Sequence, residues 1–284
     1  MSIVTFTNNN KNETGQTLSV AIIATAFAIE HNYRILLLST DFNNDTMENC
    51  FINNFKRRKA SLFDAYTTNR KNMDISNGVE GLIRMFASNR ASGEAVKSFA
   101  KPILTDRLDI INTPKTKDRK DYENLTMYYP QIVDFASNIY DIVLVDLSGD
   151  MPRENKNKIL TQSNVVIYGL NQTLSSVYGF EDLKNNDEFY KRNNVMLSVD
   201  KYNPNSKYTN KNIGRLLGEK NIPQIIPYNI LFSDYCSEGD IINYALMARG
   251  LTDKEGKDGY FYDSVLKTVE AIDYKRKEVE LTQR

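Results

Sequence analysis

"TNNNKNETGQTLSVAIIATAFA", residues 7–28, follows the apolar run "SIVTFT" (2–7) and opens a stretch, 17–30, that is rich in Ala and Ile and almost free of charge. A strand, a loop containing Gly15 and a buried helix are the three parts of a phosphate-binding loop, in which backbone N–H groups and a helix N-terminus converge on an anion. A lysine in such a loop adds a point charge against the phosphates, and the hydroxyl after it ligates magnesium. Here Gln16 stands at the lysine position and Thr17 keeps the hydroxyl. Taken alone, "TGQT" is a weak signal that leaves three readings open: a nucleotide site, the remains of one, or an ordinary turn.

Along the chain, strand-like runs alternate with helical stretches. The runs are "SIVTFT", "RILLLST" (34–40), "LDIINTP" (108–114), "YDIVLVDLS" (140–148), "NVVIYGL" (164–170), "NVMLSVDKY" (194–202) and "PQIIPYN" (223–229). That alternation predicts an α/β fold, a mainly parallel, doubly wound sheet flanked by helices. One domain over 1–284 is expected, with a polar, poorly periodic insertion at about 43–105 that carries specificity. Short helical stretches are expected inside it near 60–66 and 94–101. "MYYPQIVDFASNIYD" (127–141) reads as an amphipathic helix, with Tyr128 and Tyr129 in packing roles. Near the C-terminus, Phe261, Val265, Leu266, Val269 and Ile272 recur at helical spacing, which predicts a helix at about 260–280 docked on the domain. Its apolar face fades after Ile272, so a membrane-lying helix is the lesser reading.

Composition narrows the function classes. With 284 residues and 41% hydrophobic residues, the chain can bury a full core. Thirty-six basic residues balance thirty-six acidic ones, so no whole-molecule field pulls the protein onto nucleic acid or an anionic membrane. Local patches such as "KRRK" (56–59) and "KTKDRK" (115–120) are candidates for DNA or partner contact, or are simply solvated. Cys50 and Cys236 lie in no metal-binding pattern, and His31 is the single histidine. Disulfide frameworks, zinc sites and histidine-based catalysis are therefore not expected. No signal-like start and no run of 18 apolar residues is present, so a cytoplasmic protein without stable membrane insertion is expected.

Several stretches, in order, resemble the ParA/MinD family of P-loop ATPases. "KNETGQT" (11–17) is similar to that family's deviant phosphate loop KGGxGKT. The resemblance places Lys11 on the signature lysine, Gly15 on a loop glycine, Gln16 on the loop lysine and Thr17 on the magnesium-binding hydroxyl. "RILLLSTDFNND" looks like the strand ending in DxD, with Ser39 in place of the first Asp and Asp41 on the second, which helps position or activate water. "YDIVLVDLSGDM" resembles the Walker B strand, which makes Asp146 a holder of the magnesium shell, with Ser148 and Gly149 opening a switch. The closing half is similar to the adenine-surrounding segments, with Asp200 near the family's Asn position and Pro227 and Asn229 in "IPYN".

The resemblance thus implies ATP and Mg2+ as cofactors. It assigns nucleotide contacts to Lys11, Asn12, Glu13, Thr14, Gly15, Gln16, Thr17, Leu18, Asp200, Pro227 and Asn229. Thr17, Asp41 and Asp146 fall to the metal, and Asp41 and Lys11 to catalysis. Departures are informative too. Asn12 and Glu13 replace glycines, and Glu13 sets a negative charge beside a polyphosphate. Loss of the loop lysine removes a contact worth roughly 1.5–3 kcal/mol. The implied function is a nucleotide-dependent positioning or partition protein, dimerising on ATP to organise a plasmid, a conjugation machine or a pilus site, the last as in TadZ-like relatives. Hydrolysis would be slow or absent. The competing reading is a pseudo-ATPase scaffold, a constitutive dimer that recruits a protein partner without binding nucleotide. DNA binding without nucleotide control is a third.

Overall fold

The computed structural model describes residues 1–8, 14–53, 78–88, 92–116 and 118–282. Its strands are β1 (Ser2–Thr7), β2 (Ile35–Ser39), β3 (Lys101–Leu104), β4 (Leu108–Ile111), β5 (Ile142–Asp146), β6 (Val165–Leu170), β7 (Val195–Tyr202) and β8 (Gln224–Pro227). They form a single eight-stranded sheet in the order β3-β4-β2-β5-β1-β6-β7-β8. Neighbours run parallel except β3 and β4, which are antiparallel. In chain order the helices are α1 (Gln16–Glu30), α2 (Thr46–Phe51), α3 (Val79–Ala87), α4 (Gly93–Phe99), α5 (Arg119–Thr126), α6 (Tyr129–Ser137), α7 (Arg153–Gln162), α8 (Leu174–Asn186), α9 (Asn210–Leu216), α10 (Ile230–Glu238), α11 (Ile241–Arg249) and α12 (Lys257–Thr282).

Side chains alternate across a strand, and the central strands are apolar on both faces. Val4 and Phe6, Ile35 and Leu37, and Ile142 and Leu144 enter one core with α1, α11 and α12. Their neighbours Ile3, Leu36, Leu38, Val143 and Val145 enter the opposite core with Leu82 and Phe86 of α3, Ile132 of α6 and Ile159 of α7. A third cluster joins Tyr168 and Val199 to Phe180 of α8 and Ile213 of α9. The doubly wound architecture expected from the alternating runs is therefore present.

α1 carries no charge before its last residue, Glu30, because its central turns have no solvent face. Val20, Ala21, Ile22, Ala24, Ala26 and Phe27 are all fully buried, since the sheet lies on one side and α11 and α12 on the other. α12 lays Phe261, Val265, Val269 and Ile272 against β8 and α1, while Leu266 is partly buried. Besides α2, two elements within 43–105 that the sequence reading did not name join the sheet or the second core. One is β3, "KPIL", an edge strand paired only with β4. An edge tolerates Pro102 because its missing N–H has no ladder partner to supply. The other is α3, whose Val79, Leu82, Ile83 and Phe86 reach the second core from within the stretch read as polar. Near 94–101 the expected helix is α4, followed directly by β3, whereas 60–66 lies outside the described residues.

Candidate functional site

Parallel strands end on a common edge, and loops leaving that edge are where open α/β sheets bind ligands. β1, β2 and β5 carry the central groups there. After β1, the chain reaches Gly15 in the left-handed conformation (φ 78), and α1 begins at Gln16 with no side-chain cap and no acidic residue in its first turn. The positive end of the helix is thus left for an anion.

Asp146, the last residue of β5 and 2% exposed, is the hub of the site. Gln16 Nε2 donates to its Oδ1 at 2.6 Å, and Thr17 Oγ1 donates to its Oδ2 at 2.9 Å. Ser39 Oγ, on the β2 residue paired in register with Asp146, donates to the same Oδ2 at 3.3 Å. Burial, reinforced by the charge of Asp41, pushes the Asp146 carboxyl up to about 6, against the pull of those three hydrogen bonds.

Gln16 is committed to the protein at both ends of its amide. Besides Asp146, its nitrogen donates to the carbonyls of Phe6 (3.3 Å) and Leu147 (3.4 Å), and its oxygen accepts from Asn8 Nδ2 (2.8 Å). Asn8 also donates to Thr14 Oγ1 at 2.9 Å, which in turn accepts from the Gln16 backbone N–H at 3.3 Å. The amide therefore clamps β1, α1 and β5 together. Asn8, together with Asn44 and Thr46 beside Asp41, is among the site residues that the sequence reading missed. Asn8 has only its place directly after β1 as a signal.

A cavity of about 150 Å3 opens here, lined by Gly15, Gln16, Thr17, Leu18, Asp41 and Asp146 among others. It is smaller than the roughly 300–1,000 Å3 of pockets for drug-sized ligands, so it matches a phosphate group in size, and the rest of a nucleotide would lie outside. Asp41 accepts from Asn44 Nδ2 at 2.9 Å. Lys11, Asn12 and Glu13 lie outside the described residues.

Three residues assigned to the base are placed differently from the cavity. Asp200 is 3% exposed, accepts from Ser198 Oγ at 3.2 Å, and is pushed up to about 7 chiefly by burial. It faces Gly169 of β6, where an added Cβ would come within 3.1 Å of its Oδ2. Asn229 caps α10 by accepting from the Phe232 N–H at 2.8 Å, and donates to Asp258 at 2.8 Å, so its side chain is already engaged. Pro227 ends β8 on the same sheet edge.

The donor set fits a magnesium ion that keeps most of its ligands from elsewhere. Thr17 gives its proton to Asp146 and retains oxygen lone pairs, and Asp146 and Asp41 add hard carboxylate oxygens. Among the described residues no cluster of three or more His, Cys, Asp or Glu side chains is able to hold a metal unaided. Magnesium sites completed by substrate phosphates have this sparse protein shell.

Elsewhere, Lys115 pairs with Asp45 (3.1 Å), and Arg119 pairs with Glu123 (3.1 Å) and Asp150 (2.6 Å), so part of the 115–120 patch is neutralised internally. Lys117 and 56–59 lie outside the described residues. Among the described residues no helix is long and apolar enough to cross a membrane.

No protein-family model matches the chain, and no curated protein sequence matches it. Solved structures do. A ParA family ATPase from Chlorobium tepidum TLS superposes with a TM-score of 0.68 at 14% identity, covering 96% of this chain and 98% of that one. MinD from Pyrococcus horikoshii OT3, a septum site-determining protein complexed with Mg-ADP, gives 0.61 at 12% identity over 97% and 98%. A plasmid partition protein from Borrelia burgdorferi B31, bound to AMPPNP, gives 0.58 at 14% identity over 100% and 99%. At these identities the likeness establishes architecture: the chain has the fold of the ParA/MinD-type ATPases.

Proposed function

We propose that the chain binds ATP with Mg2+ at the N-terminus of α1 and uses it to control dimerisation in a positioning or partition system. The carrying observation is the junction of Thr17, Asp146 and Asp41 at the mouth of an uncapped helix N-terminus. The AMPPNP and Mg-ADP complexes of proteins with this fold support the same ligand class. Bound Mg2+ supplies charge neutralisation between the phosphates. The chain's part is to hold Thr17 in place through Asp146 and to present Asp41 toward the cavity, where it would orient a water. Lys11, if placed as the resemblance implies, acts on a partner's nucleotide. The cargo is a plasmid, a conjugation machine or a pilus site.

Gln16 favours slow or absent hydrolysis. Its two amide hydrogens are already directed at protein oxygens, so the residue brings neither charge nor a spare donor to a transferring phosphate. The same observation supports the second reading, a pseudo-ATPase scaffold that recruits partners as a constitutive dimer.

A thermal-shift titration with ATP, ADP and GTP, each with and without Mg2+, separates the readings when run beside light scattering. Magnesium-dependent stabilisation by ATP together with a monomer-to-dimer shift is the expected outcome. No response at millimolar nucleotide, with a dimer already formed, would establish the scaffold instead.

A further inference from the structure

Three observations single out Lys201, which follows Asp200 near the end of β7. Its backbone is left-handed (φ 51); the other described non-glycine residues with positive φ are Asn43 and Asp106, types that tolerate it. The pairing of β7 with β8 shifts register between Asp200 and Tyr202, so Lys201 sits on an irregularity that re-aims its side chain. That side chain lies directly on the phosphate-loop glycine: a Cβ at Gly15 would come within 2.7 Å of Lys201 Cε and 3.1 Å of its Cγ. The ammonium is one bond further on, and its charge acts on the buried Asp200 carboxyl beside it.

We propose that Lys201 supplies, from β7, the cation that the loop lacks at Gln16, with its ammonium balancing the charge of a polyphosphate held at the N-terminus of α1. This rests on reading the cavity as a nucleotide site. A strained lysine backbone has a structural cost that a surface position gives no reason to bear, and such strain concentrates where a side chain must be aimed. Gly15 is then doubly required, for its own positive φ and because any side chain there would displace the lysine stem. Lys201 acts here as a binding residue; the step of hydrolysis is not assigned to it.

The test is calorimetric titration of the full chain with ATP and Mg2+ at two salt concentrations, for the wild type, Lys201→Met, Lys201→Arg and the double variant Lys201→Met with Gln16→Lys. Methionine keeps an apolar stem over Gly15 and removes the charge. It should lose about tenfold or more in affinity, the usual worth of a charge-assisted contact, and show a weaker salt dependence. Arginine should hold the wild-type affinity within about threefold, and the double variant should regain most of the loss. The melting temperature of ligand-free Lys201→Met and Lys201→Arg should be unchanged, which separates a lost charge from a damaged fold; the double variant, which gives up the Gln16 clamp, is read by its affinity alone. If Lys201→Met binds as tightly as the wild type, Lys201 is packing alone and the nucleotide reading stands. If arginine fails as badly as methionine, shape and not charge matters and the inference falls. If the wild type binds no nucleotide, the reading of the site falls and this inference with it.

Discussion

At Asp146 the residue chemistry is a matter of charge balance. Relative to the pattern that the chain resembles, Gln16 removes a positive charge and Ser39 removes a negative one, so the net charge around Asp146 is unchanged. The geometry gives the reason these changes suit one another. Ser39 is the register partner of Asp146 and donates to it, whereas a second carboxylate there would face Asp146 with no loop lysine between them. Asp146 and Asp200 are buried with carboxyls raised to about 6 and about 7 from an ordinary 3.8. Both therefore bind a proton more tightly in the folded chain than in the unfolded one. Their contribution to stability is most favourable below about pH 4 and is lost as the pH rises through the window up to about 7. The measurement is chemical unfolding from pH 4.5 to 8 of the wild type beside an Asp146→Asn, Asp200→Asn double variant. The wild-type stability minus that of the variant should fall as the pH rises, at up to about 1.4 kcal/mol per pH unit for each group while it titrates. A difference that is flat with pH would show that neither carboxyl is perturbed.

At the scale of elements, the junction of α2 with α10 depends on a glycine. Gly239 ends α10 in the left-handed conformation (φ 74), and a Cβ there would meet the backbone N of Asn53 at 2.3 Å and the carbonyl carbon of Ile52 at 2.4 Å. The same junction is held by Asn53 Nδ2 donating to the Glu238 carbonyl at 2.7 Å, and it buries Cys50 and Cys236. Gly218, at the end of α9, has a similar φ of 61 but open space around it. Comparing alanine at each position separates backbone strain from collision. Gly218→Ala should cost about 1 kcal/mol, and Gly239→Ala roughly 2–4 kcal/mol, because α2 must also move. Equal losses in urea unfolding would mean that the close approach carries no energy. α2 follows Asp41 in the chain, so a displaced α2 should also weaken nucleotide binding in Gly239→Ala and leave it intact in Gly218→Ala.

At the scale of the whole molecule, α12 closes the core. It covers α1 and β8 with Phe261, Tyr262, Val265, Val269 and Ile272, all at most 1% exposed. Burial of each such side chain contributes roughly 1.5–3 kcal/mol, so the set approaches the entire 5–15 kcal/mol stability of a typical domain. A chain truncated after residue 256 should therefore lose its cooperative thermal transition and near-ultraviolet dichroism; a sharp transition in the truncated chain would show that α12 is accessory. The sequence alone determined the alternation of strands and helices, because a parallel sheet covered on both faces needs apolar runs that are long and unbroken. It also determined that Thr17 lies after β1, Asp41 after β2 and Asp146 at the end of β5, since local order along the chain fixes them. It did not disclose β3, whose four residues hold a proline and are none of them fully buried, or α3, whose apolar stripe lies within a polar stretch. Tertiary structure decided the rest. Gln16 spends its amide on Asp146, Asn8 and two carbonyls, and Lys201 lies across Gly15 from a strand 186 residues further along. Contacts between residues so far apart in sequence arise only when the sheet is assembled, because its strand order sets β1 and β6 between β5 and β7.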